Sequence, residues 1–187
     1  MSELAFRPVT RTAARKFVAD HHSHHRAHVA DCFRLGATVR GEIVAVAVAE
    51  QPKAPGLVTA TTWEVSRLCI GPAAPKYTAS RLLGRIGRVM DASGILLGVS
   101  YTRVDERGSC YLASGWAPVA IVRGRPHDTG NRALRWLPGL YEPSTEIVDR
   151  VRWERGPIAS KRACKWDGDR WVPARQFAPW MMEANHG

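Results

Sequence analysis

The chain has 187 residues, 45% of them hydrophobic, and its 27 Lys and Arg against 17 Asp and Glu give a formal charge of +10. That length suffices for one buried core, while the longest apolar run, near 43–49, is too short to cross a bilayer and no apolar segment at the start reads as a signal peptide, so the expectation is a cytoplasmic protein with no membrane partner. Four scattered cysteines indicate neither a zinc knuckle nor a disulfide framework, and the positive field favours a polyanion or a phosphorylated cofactor, with simple solubility as the bland alternative.

Thr10 can cap a helix running through Ala14, Phe17 and Val18 to His21, followed by the histidine-rich "DHHSHHRAHVAD" of residues 20–31. Residues 33–39 and 42–50 form two strand-like runs around Arg40-Gly41, a hairpin signal. The second run, "EIVAVAVAE", is too apolar for one wet face and predicts a central strand. A loop, "QPKAPGLV", precedes a strand over 63–70.

The periodic stripe Ala79, Leu82, Leu83, Ile86, Val89 and Met90 predicts a helix over 80–91, with Arg81, Arg85 and Arg88 on another face. Gly84 and Gly87 weaken that helix, which suggests close packing against a neighbour. Strand 94–101, a short helix over 108–114 and strand 116–122 follow. Beyond Val122 the chain turns rich in Gly, Pro, Arg and Trp. There "VDRVRWER" reads as a strand and "CKWDGDRWVP" as a hairpin turning at Asp167-Gly168. The order implies a mixed α/β fold built on one sheet, with a core over 1–122 and a basic extension over 123–187 packing on the same domain.

Chemistry-bearing residues fall in four groups. The connection "GPAAPKYTAS" (71–80) leads from a strand to a helix start whose free N–H groups suit an anion, assisted by Lys76, Arg81 and the hydroxyls of Thr78 and Ser80. Its two prolines remove two donors, and a plain connection that binds nothing is the alternative. Alternation along the preceding strand groups Glu64 with Ser66, Leu68 and Ile70, and Val65 with Arg67 and Cys69. His21/His25 and His24/His28 are spaced i,i+4, which fits a solvated helix end, a substrate-facing base cluster or a metal site; no local third ligand completes a metal set. Arg123, Arg125, Arg132, Arg135, Lys161, Arg162 and Lys165, among exposed tryptophans, are candidates for nucleic-acid contact, or the solvated surround of core tryptophans.

Three stretches, "RKFVADHHSHHR", "EVSRLCIGPAAPKYTASRLLGRIGR" and "SYTRVDERGSCYLASGW", together resemble the GNAT superfamily of N-acetyltransferases over roughly residues 10–122. Within it the chain is similar to phage- and plasmid-borne proteins allied to the Mom DNA-modification enzyme. The resemblance implies a GNAT-like, mostly antiparallel sheet flanked by helices, with two strands splayed at a cofactor cleft. It implies acetyl-CoA or another acyl-CoA as cofactor, held by Leu68, Cys69, Ile70, Gly71, Lys76, Tyr77, Thr78, Ala79, Ser80 and Arg81. Tyr111 is the implied general acid, or else a core tyrosine; Ser109 assists it or caps its helix. Glu64 is the implied base, or half of a structural ion pair, and His25 matches a His-His-Arg-like stretch of the related proteins. The implied activity is acyl transfer to a nucleobase amine of DNA. Two alternatives are transfer to a small or protein amine, and a non-catalytic nucleic-acid-binding protein on the same scaffold.

Overall fold

A computed structural model describes residues 4–21, 32–54, 56–124 and 148–174. Its centre is a seven-stranded sheet of order β1-β2-β3-β4-β5-β7-β6. The strands are β1 (Leu4–Pro8), β2 (Phe33–Val39), β3 (Glu42–Glu50), β4 (Thr62–Ile70), β5 (Leu97–Arg103), β6 (Ala117–Val122) and β7 (Arg150–Arg155). Every neighbouring pair is antiparallel except β4–β5. A separate hairpin joins β8 (Cys164–Trp166) to β9 (Trp171–Pro173).

The β2–β3 hairpin turns on Arg40 (φ 52°) and Gly41 (φ 87°), the pair of positive dihedrals that a tight hairpin needs. "EIVAVAVAE" becomes β3, third of seven strands, and its residues from Val44 to Glu50 are buried. Its small and branched side chains split between two layers. Ala45, Ala47 and Ala49 face α2 (Thr78–Ala92) with Leu82, Leu83, Ile86 and Met90, whereas Val46 and Val48 face α1 (Arg11–His21) with Ala14, Phe17 and Val18. One helix therefore covers each side of the sheet.

Two boundaries differ from the sequence reading for local reasons. The helix begins at Thr78, two residues early, because Thr78 N and Oγ1 both bond the Pro75 carbonyl. The following strand begins at Leu97 because Gly94 (φ 71°) closes the helix and Leu96 N and Leu97 N are tied to the Thr61 carbonyl. The periodicity also misses β1, whose five residues bury only Leu4.

The chain beyond residue 122 supplies β7, which lies between β5 and β6, so the sheet does not break where the composition changes. The tryptophans of the described residues are chiefly core. Trp116, Trp153 and Trp171 are buried, Trp166 packs edge-on against Trp171, and Trp63 stacks on Phe33. Apolar packing thus accounts for the three buried rings, while Trp63 and Trp166 are half-buried. No helix among the described residues is long and apolar enough to cross a membrane.

Candidate active site

β4 and β5 pair only from Thr62↔Leu97 to Val65↔Ser100, although β4 continues to Ile70 and β5 to Arg103. Beyond that point each strand follows its other neighbour. β4 stays with β3 as far as Ala45↔Ile70, and β5 stays with β7 as far as Arg103↔Arg150. The parting leaves one edge of residues 66–70 without a partner strand, a row of backbone groups able to bond an amide-bearing chain.

Tyr111 of the short helix α3 (Ser109–Leu112) sits at the apex of this parting. Its Oη lies 2.8 Å from Ser100 Oγ, and Ser100 Oγ donates to the Val65 carbonyl at 2.8 Å, which leaves the phenol as donor to Ser100. The ring stacks on Trp153 (5.0 Å between centroids) and meets Trp116 edge-on. Burial pushes the phenol well above its ordinary pKa, partly offset by the Ser100 bond. Ser109, by contrast, is exposed on the first turn, the N-cap is Gly108, and the hydroxyl that meets Tyr111 belongs to Ser100 instead. The one signal for Ser100 was a lone hydroxyl ending the apolar run "GILLGVS".

The loop after β4 returns over the sheet through Gly71, whose N–H bonds the Val44 carbonyl and which leaves no room for a side chain: a Cβ would lie 3.1 Å from Phe17 and from Val44 O. Tyr77, at the N-cap of α2, adopts φ 66°, ψ 8°, a left-handed conformation that glycine takes freely and tyrosine does not. That residue is 69% exposed, with Lys76 Nζ 5.4 Å from its ring. The hydroxyls of Thr78 and Ser80, expected to donate to an anion, donate instead to the carbonyls of Pro75 (2.6 Å) and Tyr77 (3.1 Å). Anion binding here would fall to backbone N–H groups of the first turn and to nearby arginines.

Those arginines line a cleft of about 460 Å³ between α2 and α3, formed by Ser80, Arg81, Gly84, Arg85, Arg88, Ala113, Ser114 and Arg155. Arg155 is neutralised, since it bonds both Asp91 oxygens (2.9 and 2.6 Å) and holds that carboxyl below its usual range. The guanidiniums of Arg81 and Arg85 rest on the Phe6 ring at 5.4 and 5.0 Å, and neither they nor Arg88 has a carboxylate partner among the described residues. Three uncompensated cations in a row along α2, the first of them Arg81 in its first turn, suit phosphate groups. The sequence reading singled out Arg81 alone for this purpose. Gly84 and Gly87 differ: a Cβ on Gly84 would meet only Arg88 at 3.9 Å, whereas one on Gly87 would lie 2.7 Å from the Arg155 guanidinium. Close packing thus explains Gly87, and Gly84 keeps the cleft floor low.

Glu64 lies on the opposite side of the sheet from Tyr111. Here the structure corrects the alternation, because β4 carries a bulge: Val48 faces Arg67 and Ala49 faces Val65, with Ser66 the extra residue. The bulge moves Cys69 and Arg67 to the α1 side, while Val65, Leu68 and Ile70 take the α2 side opposite Ala49, Ala47 and Ala45. Glu64, opposite Glu50, therefore groups with Arg67 rather than with Leu68 and Ile70. Glu64 Oε2 accepts the Lys53 N–H at 3.2 Å. Burial first, and then the charge of Glu50, raise the Glu64 pKa, against the lowering effect of the Lys53 bond. Glu50 is 1% exposed with Lys53 Nζ 2.7 Å from Oε1, yet among the described residues neither oxygen has an aligned hydrogen-bond donor. Glu64 forms no ion pair within 4 Å among the described residues.

Of the other candidates, His25, Arg125, Arg132 and Arg135 lie outside the described residues. Arg123, Lys161, Arg162 and Lys165 are exposed, and Arg162 lies over the Trp171 ring at 5.9 Å. Among the described residues no three His, Cys, Asp or Glu side chains gather at metal-binding distance.

No protein-family model matches the sequence, and no curated protein matches it. Solved structures match its fold. A Bacillus subtilis acetyltransferase in complex with CoA is similar at TM-score 0.59 and 14% identity, covering 82% of this chain and 99% of the other. A GNAT family acetyltransferase from Elizabethkingia anophelis with acetyl-CoA bound gives 0.57 and 13%, covering 82% and 97%. The ribosomal-protein-alanine N-acetyltransferase of Brucella melitensis gives 0.57 and 11%, covering 81% and 99%. The mixed, mostly antiparallel sheet flanked by helices is the GNAT fold.

Proposed function

We propose that the protein is an acyl-CoA-dependent N-acyltransferase. The observation that carries this reading is the parting of β4 from β5 at Val65 and Ser100, with the Tyr111 phenol at its apex. The solved structures of the same fold include two that hold CoA or acetyl-CoA. The residues fit that cofactor: the unpaired edge of 66–70 for its amide arm, and the first turn of α2 with Arg81, Arg85 and Arg88 for its phosphates. Lys76 and Tyr77 stand beside that turn.

Bound acyl-CoA would supply an acyl thioester, from which an amine takes the acyl group as a C–N bond replaces C–S and one proton passes from nitrogen to sulfur. Glu64 accepts a proton at its carboxylate, and its raised pKa makes it a stronger base than an exposed glutamate. Tyr111 keeps its proton at neutral pH, because burial raises its pKa; rotation of that O–H away from Ser100 would turn it to the leaving sulfur as a hydrogen-bond donor. The two residues lie on opposite sides of the sheet at the parting, which separates base from donor.

Calorimetry with acetyl-CoA, followed by a CoA-release assay across amines, tests the reading. Binding that weakens as salt rises, with transfer to an amine, is expected. Absence of binding at millimolar acetyl-CoA would leave only a basic α/β scaffold.

A second reading, in line with the Mom-like resemblance, takes a nucleobase amine of DNA as acceptor. The charge of +10 and the exposed Arg123, Lys161, Arg162 and Lys165 favour it. An exocyclic amine has its lone pair delocalised into the ring, so Glu64 alone would not activate it, and the base would have to leave the duplex. Mass spectrometry of nucleosides from DNA of expressing cells tests it: a modified nucleoside lost in Tyr111→Phe supports this reading, and an unaltered nucleoside profile removes it.

A further inference from the structure

The side of the sheet that carries Glu64 holds more charge than acyl transfer uses. Strand pairing places Glu50 opposite Glu64, Tyr101 opposite Arg152, and Arg103 opposite Arg150, and the β4 bulge adds Arg67 to the same side. Apart from Glu154, which pairs with Arg152 on β7, the two signs fall in separate clusters along it. Glu50 and Glu64 stand together on β3 and β4, next to the apex of the parting. Arg150 and Arg152 stand on β7, and Arg67 on β4 past the apex.

These arginines are poorly satisfied. Among the described residues the Arg67 side chain makes one hydrogen bond, Nη1 to the Ser66 carbonyl at 2.6 Å; there its buried Nε meets no acceptor and no carboxylate lies within 4 Å. Arg152 Nη2 pairs with Glu154 at 2.6 Å, but its buried Nε also meets no acceptor among the described residues. Arg150 has no ion pair among the described residues; burial lowers the Arg67 pKa, the charges of Glu50 and Glu64 raise it, and repulsion from Arg150 adds a smaller lowering. Unpaired buried donors and two neighbouring guanidiniums cost stability unless an anion joins them. The nearby carboxylates do not serve: Glu50 is held by Lys53 and Glu64 by the Lys53 amide.

We propose that this side binds the acceptor, and that the acceptor is a zwitterion, with its amine at Glu64 and Glu50 and a carboxylate or phosphonate at Arg67 and Arg150, Arg152 assisting. The proposal rests on the N-acyltransferase reading, which supplies the reason for an amine beside Glu64. It separates the two ligands by face: phosphates of the cofactor on the α2 side, the acceptor's anion on the α1 side. Tyr101, half-buried opposite Arg152, feels the charges of both Arg152 and Glu64 and offers a hydroxyl on this side.

Matched amines test it, each measured twice: by calorimetry without acyl-CoA, and by CoA release with acetyl-CoA. The pairs are L-amino acids against their decarboxylated amines, and 2-aminoethylphosphonate against ethylamine. The anionic member is expected to bind at least about tenfold more tightly and to show the higher kcat/KM, and the better of carboxylate and phosphonate identifies the anion. Arg67→Gln and Arg150→Gln should each remove about tenfold of that preference, read as the ratio of the KM values of the paired amines within each variant. Failure of acetyl-CoA to bind would strike the N-acyltransferase reading, whereas the preference measured without acyl-CoA bears on the zwitterion alone. Equal treatment of the paired amines, a preference unchanged in both variants, or transfer to a single-stranded oligonucleotide without zwitterion binding would each overturn the proposal.

Discussion

Tyr111 Oη lies 2.8 Å from Ser100 Oγ, and Ser100 is the last residue of β5 that faces a partner on β4. The phenol is thus fixed where the strands separate. Tyr111→Phe keeps the ring on Trp153 and Trp116 and deletes one buried hydrogen bond, so a stability loss of about 1 kcal/mol is expected in urea unfolding. Acyl transfer should fall by about 10²–10⁴, the usual contribution of a positioned proton-bearing group. An unchanged rate with acetyl-CoA binding intact would remove Tyr111 from the chemistry.

Glu64 gives the pH dependence. Its raised pKa places the acidic limb of kcat/KM above the ordinary glutamate value near about 4.3. Glu50→Gln removes a charge that contributes to the shift, so the limb should move to lower pH; a limb that stays in place would deny the coupling. The stability sign follows from the same shift. The folded state holds the proton more tightly than the unfolded one, so the contribution is present below the unfolded pKa and is lost as pH rises through the folded value. Glu64→Gln, which still offers Lys53 N–H an acceptor, should flatten that fall in melts between about pH 4 and 8.

What the sequence discloses follows from how local each signal is. The stripe from Leu82 to Met90 and the run of β3 are set by residues a few positions apart, so their elements are legible without the fold. The side to which Glu64 points is not legible, because it depends on a single bulge at Ser66, and a one-residue slip reverses the face of everything beyond it. Ser100 and Tyr111 are eleven residues apart and meet only because α3 folds back on β5. Arg81, Arg85 and Arg88 are a solvated stripe in isolation, and they become a cleft wall once α3 lies alongside. The identity of Arg150 and Arg152 as inner-strand residues needs β7 to enter between β5 and β6, a non-local pairing that no short-range pattern encodes.

Tyr77 stores backbone strain at the start of α2. A non-glycine residue at φ 66° costs about 1–2 kcal/mol, and the exposed ring recovers little of it by burial. Tyr77→Gly should therefore raise stability by up to about 1 kcal/mol, and Tyr77→Val should lower it, since a branched Cβ resists the left-handed region. Chemical denaturation of the two variants reads both signs. A destabilised glycine variant would show that the ring makes a contact worth more than the strain. Calorimetry with acetyl-CoA on the same pair shows whether that ring also serves the ligand.

Gly84 and Gly87, one helical turn apart on α2, should respond to alanine in opposite directions. At Gly84 the new methyl meets only the end of Arg88, so Gly84→Ala gains helix propensity, about 0.5–1 kcal/mol, while narrowing the cleft. Its expected signature is a higher Tm with weaker acetyl-CoA binding. At Gly87 the methyl would lie 2.7 Å from the Arg155 guanidinium, which bonds the Gly87 carbonyl and both oxygens of Asp91. The arginine must move, and loss of charge-assisted bonds worth about 1.5–3 kcal/mol outweighs the propensity gain. Gly87→Ala should therefore destabilise by about 1 kcal/mol in the parent chain and stabilise in an Arg155→Ala background, where nothing remains to be displaced. That reversal in a double-mutant cycle is the decisive reading, because propensity alone gives the same sign in both backgrounds. If Gly87→Ala stabilised both, the guanidinium would have an equally good seat elsewhere and the packing account of Gly87 would fail.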